Sequence, residues 1–150
     1  MPAFVTFGRI LFAVLFLYSG VAKLLDIPST TASITAKVTI PALVVPYTTQ
    51  VEGITGMPTP QMLAIAVGAF EVIAGLMIAF NLAARFFAIL LIFFVAATTF
   101  YFHDFWNQSP PENAKSLVDA LKNLSIIGAL FIIAGVGRRS RTAEPVYGEV

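Results

Sequence analysis

The sequence predicts an all-α membrane protein, a bundle of four transmembrane helices with a long outer loop between the first and second. Composition is the first reason. Of 150 residues, 58% are hydrophobic and only 11% charged, against roughly 25% charged in soluble domains. The second reason is the apolar runs themselves. Four of them are long enough to cross a hydrocarbon core of ~30 Å at 1.5 Å per residue. They are continuous rather than alternating, which favours helices over a barrel.

The chain is expected to form a single domain, residues 1–150. The spans cover about 4–25, 61–80, 83–102 and 117–136, and a tail follows over 137–150. The first span is long and lacks an adjacent small-x-small cleavage pattern, so it reads as a span rather than a leader. Asn81–Ala84 is a tight turn. His103–Ser116 is a short polar loop with Pro110-Pro111. The connection 26–60 is long and broken by Pro28, Pro41, Pro46, Pro58 and Pro60. A loop of that length usually has a role or structure of its own. It is read as a cap on one membrane face, built from a short amphipathic helix or an extended segment.

Arg9, Arg85, Arg138, Arg139 and Arg141 all fall on one side of this layout, and the lysines Lys23, Lys37, Lys115 and Lys122 at or towards the other. The cluster GRRSRT abuts the fourth span and biases that side to the cytoplasm. Both termini are therefore expected inside, in a bacterial inner membrane. Arg138, Arg139 and Arg141 could also meet anionic lipid. Tyr101, Phe102, Phe105 and Trp106 resemble an interfacial belt, with Tyr101 and Trp106 as the interface residues.

Helical spacing puts Ala64, Gly68, Glu71, Gly75 and Ala79 on one stripe of the second span. The first span gives Arg9, Ala13, Phe16, Gly20 and Lys23. The third gives Arg85, Ala88, Ile92, Ala96, Thr99 and His103. The fourth gives Leu121, Ser125, Gly128, Ile132 and Gly135, with Lys122 on its shoulder. Small residues allow close approach of helices in membranes. A bundle burying these faces would thus pack through Gly20, Gly68, Gly75, Gly128 and Gly135, with Glu71 turned inward. An acid at the bilayer centre costs about 2.5–3.5 kcal/mol and calls for a partner. Lys122 and Lys23 are the preferred partners by depth, and Arg9 is the alternative from the inner side.

The segments RILFAVLFLYSGVAKLLD (9–26), GMPTP, GAFEVIAGLMIAFNLAARFFA (68–88), FHDFWNQ (102–108) and KNLSIIGALFIIAG (122–135) occur in an order and spacing that resemble the DoxX family of small bacterial membrane proteins. The resemblance covers most of the chain except the insert 27–56 and the tail. It implies a four-helix inner-membrane protein linked to oxidoreductase systems, including a subunit of a thiosulfate:quinone oxidoreductase. It places family charged positions at Arg9, Lys23, Glu71, Arg85, His103 and Lys122.

Glu71 thus reads either as half of a structural ion pair or as a proton-accepting or hydrogen-bonding partner of a quinone. His103-Asp104 reads as an interfacial cap or as a proton relay at an outer-leaflet quinone site. The chain has one histidine and no cysteine. No haem pair, thiolate site, Glu-x-x-His di-metal site, phosphate loop or catalytic triad is legible in it. No covalently bound or metal-ligated cofactor is expected, and no residue is assigned as catalytic. A net charge of +1 gives no support to nucleic-acid binding.

The expected role is an accessory integral-membrane subunit of an electron-transfer or oxidoreductase complex. It would be surrounded by membrane lipids and packed against partner membrane subunits, framing a quinone site. The alternatives are a stand-alone quinone-interacting oxidoreductase component and a small transporter or proton pathway.

Overall fold

The structure is a computed structural model that describes residues 3–136. It contains six α-helices: α1 (Ala3–Leu25), α2 (Ile27–Lys37), α3 (Val45–Thr55), α4 (Thr59–Ala79), α5 (Ala84–Phe102) and α6 (Glu112–Gly135). A single 3-10 turn covers Phe105–Asn107. Among the described residues, α1, α4, α5 and α6 are long and apolar enough to cross a membrane. This is the all-α polytopic architecture expected. The helix that carries the fourth span starts at Glu112, five residues before the expected apolar run. The arginines Arg138, Arg139 and Arg141 lie outside the described residues.

The surface is apolar where a soluble protein's would be polar. Phe4, Phe7, Phe86, Phe93 and Phe131 are all exposed. Such a surface is stable only in a solvent as apolar as itself, so these rings face lipid.

The tightest contact is α1 against α4, antiparallel and glycine-mediated. A methyl group built on Gly68 would meet Leu24 at 2.8 Å, and one on Gly75 would meet Leu17 at 3.1 Å. The core continues through Phe16, Ala74, Ile78, Ala84, Ala88, Leu91, Val95 and Leu130. The α1 and α4 stripes behave as expected: Arg9, Ala13, Phe16 and Gly20 are buried, as are Ala64, Gly68, Glu71 and Gly75.

The fourth-span stripe is corrected. Gly128 and Gly135 have no neighbour within 4 Å of where a Cβ would stand. Leu121 and Ile132 on the same stripe are exposed. The helix instead turns Leu130 inward, with Ile126, Ile127, Ile133 and Ala134 packed beside it. Large residues form the α5–α6 contact, so α6 has no need to present its glycines to the bundle. The α5 stripe shifts as well. Ala88 is buried as expected, but Arg85 and Ala96 are exposed, and Ala84, Leu91 and Val95 fill the face.

The 26–60 connection is two helices rather than one short segment. Asp26 closes α1 and caps α2, accepting from the Ser29 amide at 3.1 Å, and Pro28 falls in the first turn, where a missing N–H costs nothing. α2 packs across α4 and buries Ile34. α3 buries no residue. It exposes Val45, Tyr47, Val51 and Ile54, and ends at Gly56 in the left-handed region with φ 69°. Glu52 ties it to α4: the carboxylate Oε1 accepts from both the amide and the hydroxyl of Thr59, each at 2.6 Å. This caps a helix whose own Ncap residue, Pro58, has no side-chain donor or acceptor.

Candidate functional site

The glycine contact carries α1 so close to α4 that Lys23 reaches Glu71. The Lys23 Nζ lies 2.8 Å from Glu71 Oε2, and the acid is buried to 4% residual exposure. Nζ also donates to Ser19 Oγ, one turn back on α1. The lysine is more exposed than the acid, at 30% against 5% of the side chain, so the pair is open on the lysine side.

That side opens into a cavity of about 700 Å³. α1, α2, α4, α5 and α6 all contribute to its walls. Most of the lining is aliphatic or aromatic, including Leu15, Leu63, Val67, Phe94 and Ile126. Its polar groups include Ser19 and Lys23 of α1, Glu71 of α4, Ser29, Thr30 and Ser33 of α2, and Thr98 of α5. Tyr101 and His103 join the lining from the end of α5, and Asn123 from α6. Asn123 is fixed by donating its Nδ2 to Thr99 Oγ1 at 2.9 Å.

Of the three partners considered for Glu71, the structure selects Lys23. Lys122 is corrected: it is exposed and pairs instead with Asp119 on its own helix at 2.9 Å. Its neighbour Asn123 lines the cavity, whereas Lys122 does not. Arg9 lies fourteen residues before Lys23 on α1, ~21 Å away by helical rise, at the opposite end of the bundle.

His103 and Asp104 separate in role. His103 lines the cavity, whereas Asp104 turns to the loop, accepting from Gln108 Nε2 at 2.8 Å with Lys37 Nζ at 3.7 Å. The Lys37 contact joins the end of α2 to the loop after α5. Trp106 packs on Phe100 and Phe105 with ring centroids 5.6 and 5.0 Å apart. Tyr101 packs edge-on against Phe100 at 5.5 Å and also borders the cavity.

Ser19 and Asn123 escaped the sequence reading. Ser19 carried a usable signal, since it stands four residues before Lys23 on the same face. Asn123 carries no such signal, since an uncharged amide beside Lys122 does not show in sequence which shoulder of α6 meets the bundle. The hydroxyls of α2 were unreadable until the loop was known to be helical.

A family model described as DoxX matches residues 4–104. The chain belongs to the DoxX family. The matched stretch carries the whole α1–α4 contact and both members of the Lys23–Glu71 pair. This DoxX chain is also 30% identical over 82 residues to the inner membrane protein YphA of Escherichia coli (strain K12), covering 55% of this chain. The match spans 59% of that relative's length. No solved structure matches this DoxX protein.

Proposed function

We propose that this DoxX protein is an accessory subunit of an inner-membrane oxidoreductase or electron-transfer assembly, and that the 700 Å³ cavity holds the head of an isoprenoid quinone. The observation that carries this reading is an ion pair set into the wall of an otherwise apolar cavity within a membrane bundle. Pockets for small organic molecules are typically apolar with a few convergent polar groups, in the range of about 300–1,000 Å³.

The residues present fit a quinone. The walls suit an aromatic head and an isoprenoid chain, and Lys23, Tyr101, His103 and Asn123 offer hydrogen-bond donors around the same volume. When bound, the quinone supplies two-electron, two-proton carriage. Lys23 orients the head by donating from Nζ, while Ser19 and Glu71 hold that nitrogen in place. Glu71 and His103 are the acid and the imidazole in the cavity lining, and either could exchange a proton with a bound head. The chain has no cysteine and one histidine, which supports assigning the redox centre to a partner. The arginine-rich tail of the sequence supports cytoplasmic termini, and with that orientation the cavity would lie towards the outer leaflet.

The test is purification from native membranes in mild detergent, followed by mass spectrometry of co-purifying proteins and of solvent-extracted quinones. Quinone at near one per chain, lost in Lys23→Met, supports the site; a partner oxidoreductase subunit supports the role. Recovery as a lone chain with neither counts against both. A Glu71-dependent proton flux in liposomes, with no quinone bound, would favour a transport pathway instead.

A further inference from the structure

A second polar position lies at the other end of the bundle, and the quinone reading makes no use of it. Arg9 is buried to 8% residual exposure. Among the described residues no acid lies within ion-pair range of it, and its buried Nε has no hydrogen-bond partner. A guanidinium carries five donors and stays protonated at any physiological pH. Burying it unpaired is costly, so the position favours an anion, and none comes from the described residues.

Arg9 borders a cavity of about 250 Å³. The α1 side gives Val5, Gly8 and Phe12, and the α6 side gives Ala129, Ile132, Ile133 and Val136. Asn81, from the turn after α4, is the one other polar side chain in the lining. The α1–α4 register explains its presence. Gly20 packs on Gly68 and Gly75 on Ala13, so Arg9 falls level with the last turn of α4. Gly8 leaves the wall open, with nothing within 4 Å of where its Cβ would stand.

We propose that this cavity binds the phosphodiester of an anionic phospholipid, with the guanidinium of Arg9 on the phosphate and the acyl chain against the α6 wall. Two features select a lipid over a free anion. The walls apart from Arg9 and Asn81 are apolar, so a hydrated ion would lose its water shell against groups that return nothing. The α6 wall is also continuous with lipid-facing residues, since Ile132 and Val136 both line the cavity and are exposed. Arginine matches a phosphate through two parallel donors, and Asn81 offers an amide beside it.

The full-length protein in nanodiscs of equal phosphatidylglycerol and phosphatidylcholine tests this, by native mass spectrometry of lipids retained after release. The expected result is retention of phosphatidylglycerol over phosphatidylcholine by about tenfold or more, a ratio corresponding to about 1.4 kcal/mol. Arg9→Gln abolishes the preference. Gly8→Leu fills the opening without touching the charge, and abolishes it too, so the test survives if the arginine variant fails to fold. Lys23→Met keeps the preference, which separates this site from the quinone cavity. Equal retention of both lipids by the wild-type chain, or an unchanged preference in Gly8→Leu and Arg9→Gln, overturns the proposal. So does an Arg9-dependent rise in melting temperature produced by inorganic phosphate in detergent without retained lipid, which would make the ligand a free anion.

Discussion

Gly20 meets Gly68 so closely that a methyl group on Gly20 would stand 2.6 Å from the Gly68 carbonyl oxygen and 2.9 Å from Glu71 Cβ. The obstacle is backbone, which cannot rotate away. Gly20→Ala must therefore push α1 off α4, at about 1–3 kcal/mol, the usual range for overpacking a tight contact. Gly128→Ala is the control, because nothing lies near that position, and it leaves stability unchanged or slightly raised. Thermal unfolding in detergent, followed by Trp106 fluorescence, distinguishes the two. An equal effect at both positions would contradict the described packing.

The same displacement would separate Lys23 from Glu71, which leads to a second expectation. Removing one member of a buried pair strands the other, at a cost of up to about 3–5 kcal/mol. Replacing both with apolar groups avoids that. Lys23→Met and Glu71→Met should each destabilise the protein, while the double substitution recovers much of the loss. A double-mutant cycle on unfolding midpoints measures the coupling. Additive losses would mean that the pair does not act as one unit.

Lys122 should behave differently from Lys23 despite its equal charge. Its partner Asp119 sits three residues back on the same helix, and its side chain is 68% exposed. Exposed pairs of this kind contribute little. Lys122→Ala is expected to leave both the melting temperature and quinone retention unchanged. A loss of quinone in that variant would move the site to the other shoulder of α6.

A pH effect is expected at the α3–α4 junction. The hydrogen bonds from the Thr59 hydroxyl and amide hold the Glu52 carboxyl below its ordinary pKa of 4.5. A carboxyl depressed on folding contributes stability that is complete above its unfolded pKa and lost as pH falls through the lower folded value. The cap on α4 should thus be intact at neutral pH and weaken below about pH 4.5. Hydrogen exchange at the first turn of α4 checks this: protection should fall in acid for the wild type, and Glu52→Gln should show weakened protection at neutral pH.

The sequence disclosed those parts of the molecule whose cause is local. Continuous apolar runs revealed four spans, and spacing revealed the α1 and α4 faces, because both carry small residues and charges at helical intervals. Glu71 could be turned inward on that pattern alone. The choice of Lys23 over Lys122 was not legible, since it depends on which shoulder of α6 faces the bundle. The glycines of α6 misled for a related reason: glycine on a lipid-facing surface looks the same in sequence as glycine in a contact. The 26–60 connection hid its helices because neither carries a strong apolar stripe, and α2 is held by packing on α4 that only the fold supplies.

The four long helices divide into two firm pairs, α1 with α4 and α5 with α6, and the larger cavity lies along the seam between them. Within the first pair the backbones nearly touch, and within the second large side chains interlock. The seam is bridged by the core, where Ala74 and Ile78 of α4 join Ala88 and Leu91 of α5, and by the Phe70–Phe94 ring contact at 5.4 Å. The cavity is therefore walled by both pairs at once, so a substitution that shifts either pair changes its shape even when it leaves the contact between Lys23 and Glu71 intact.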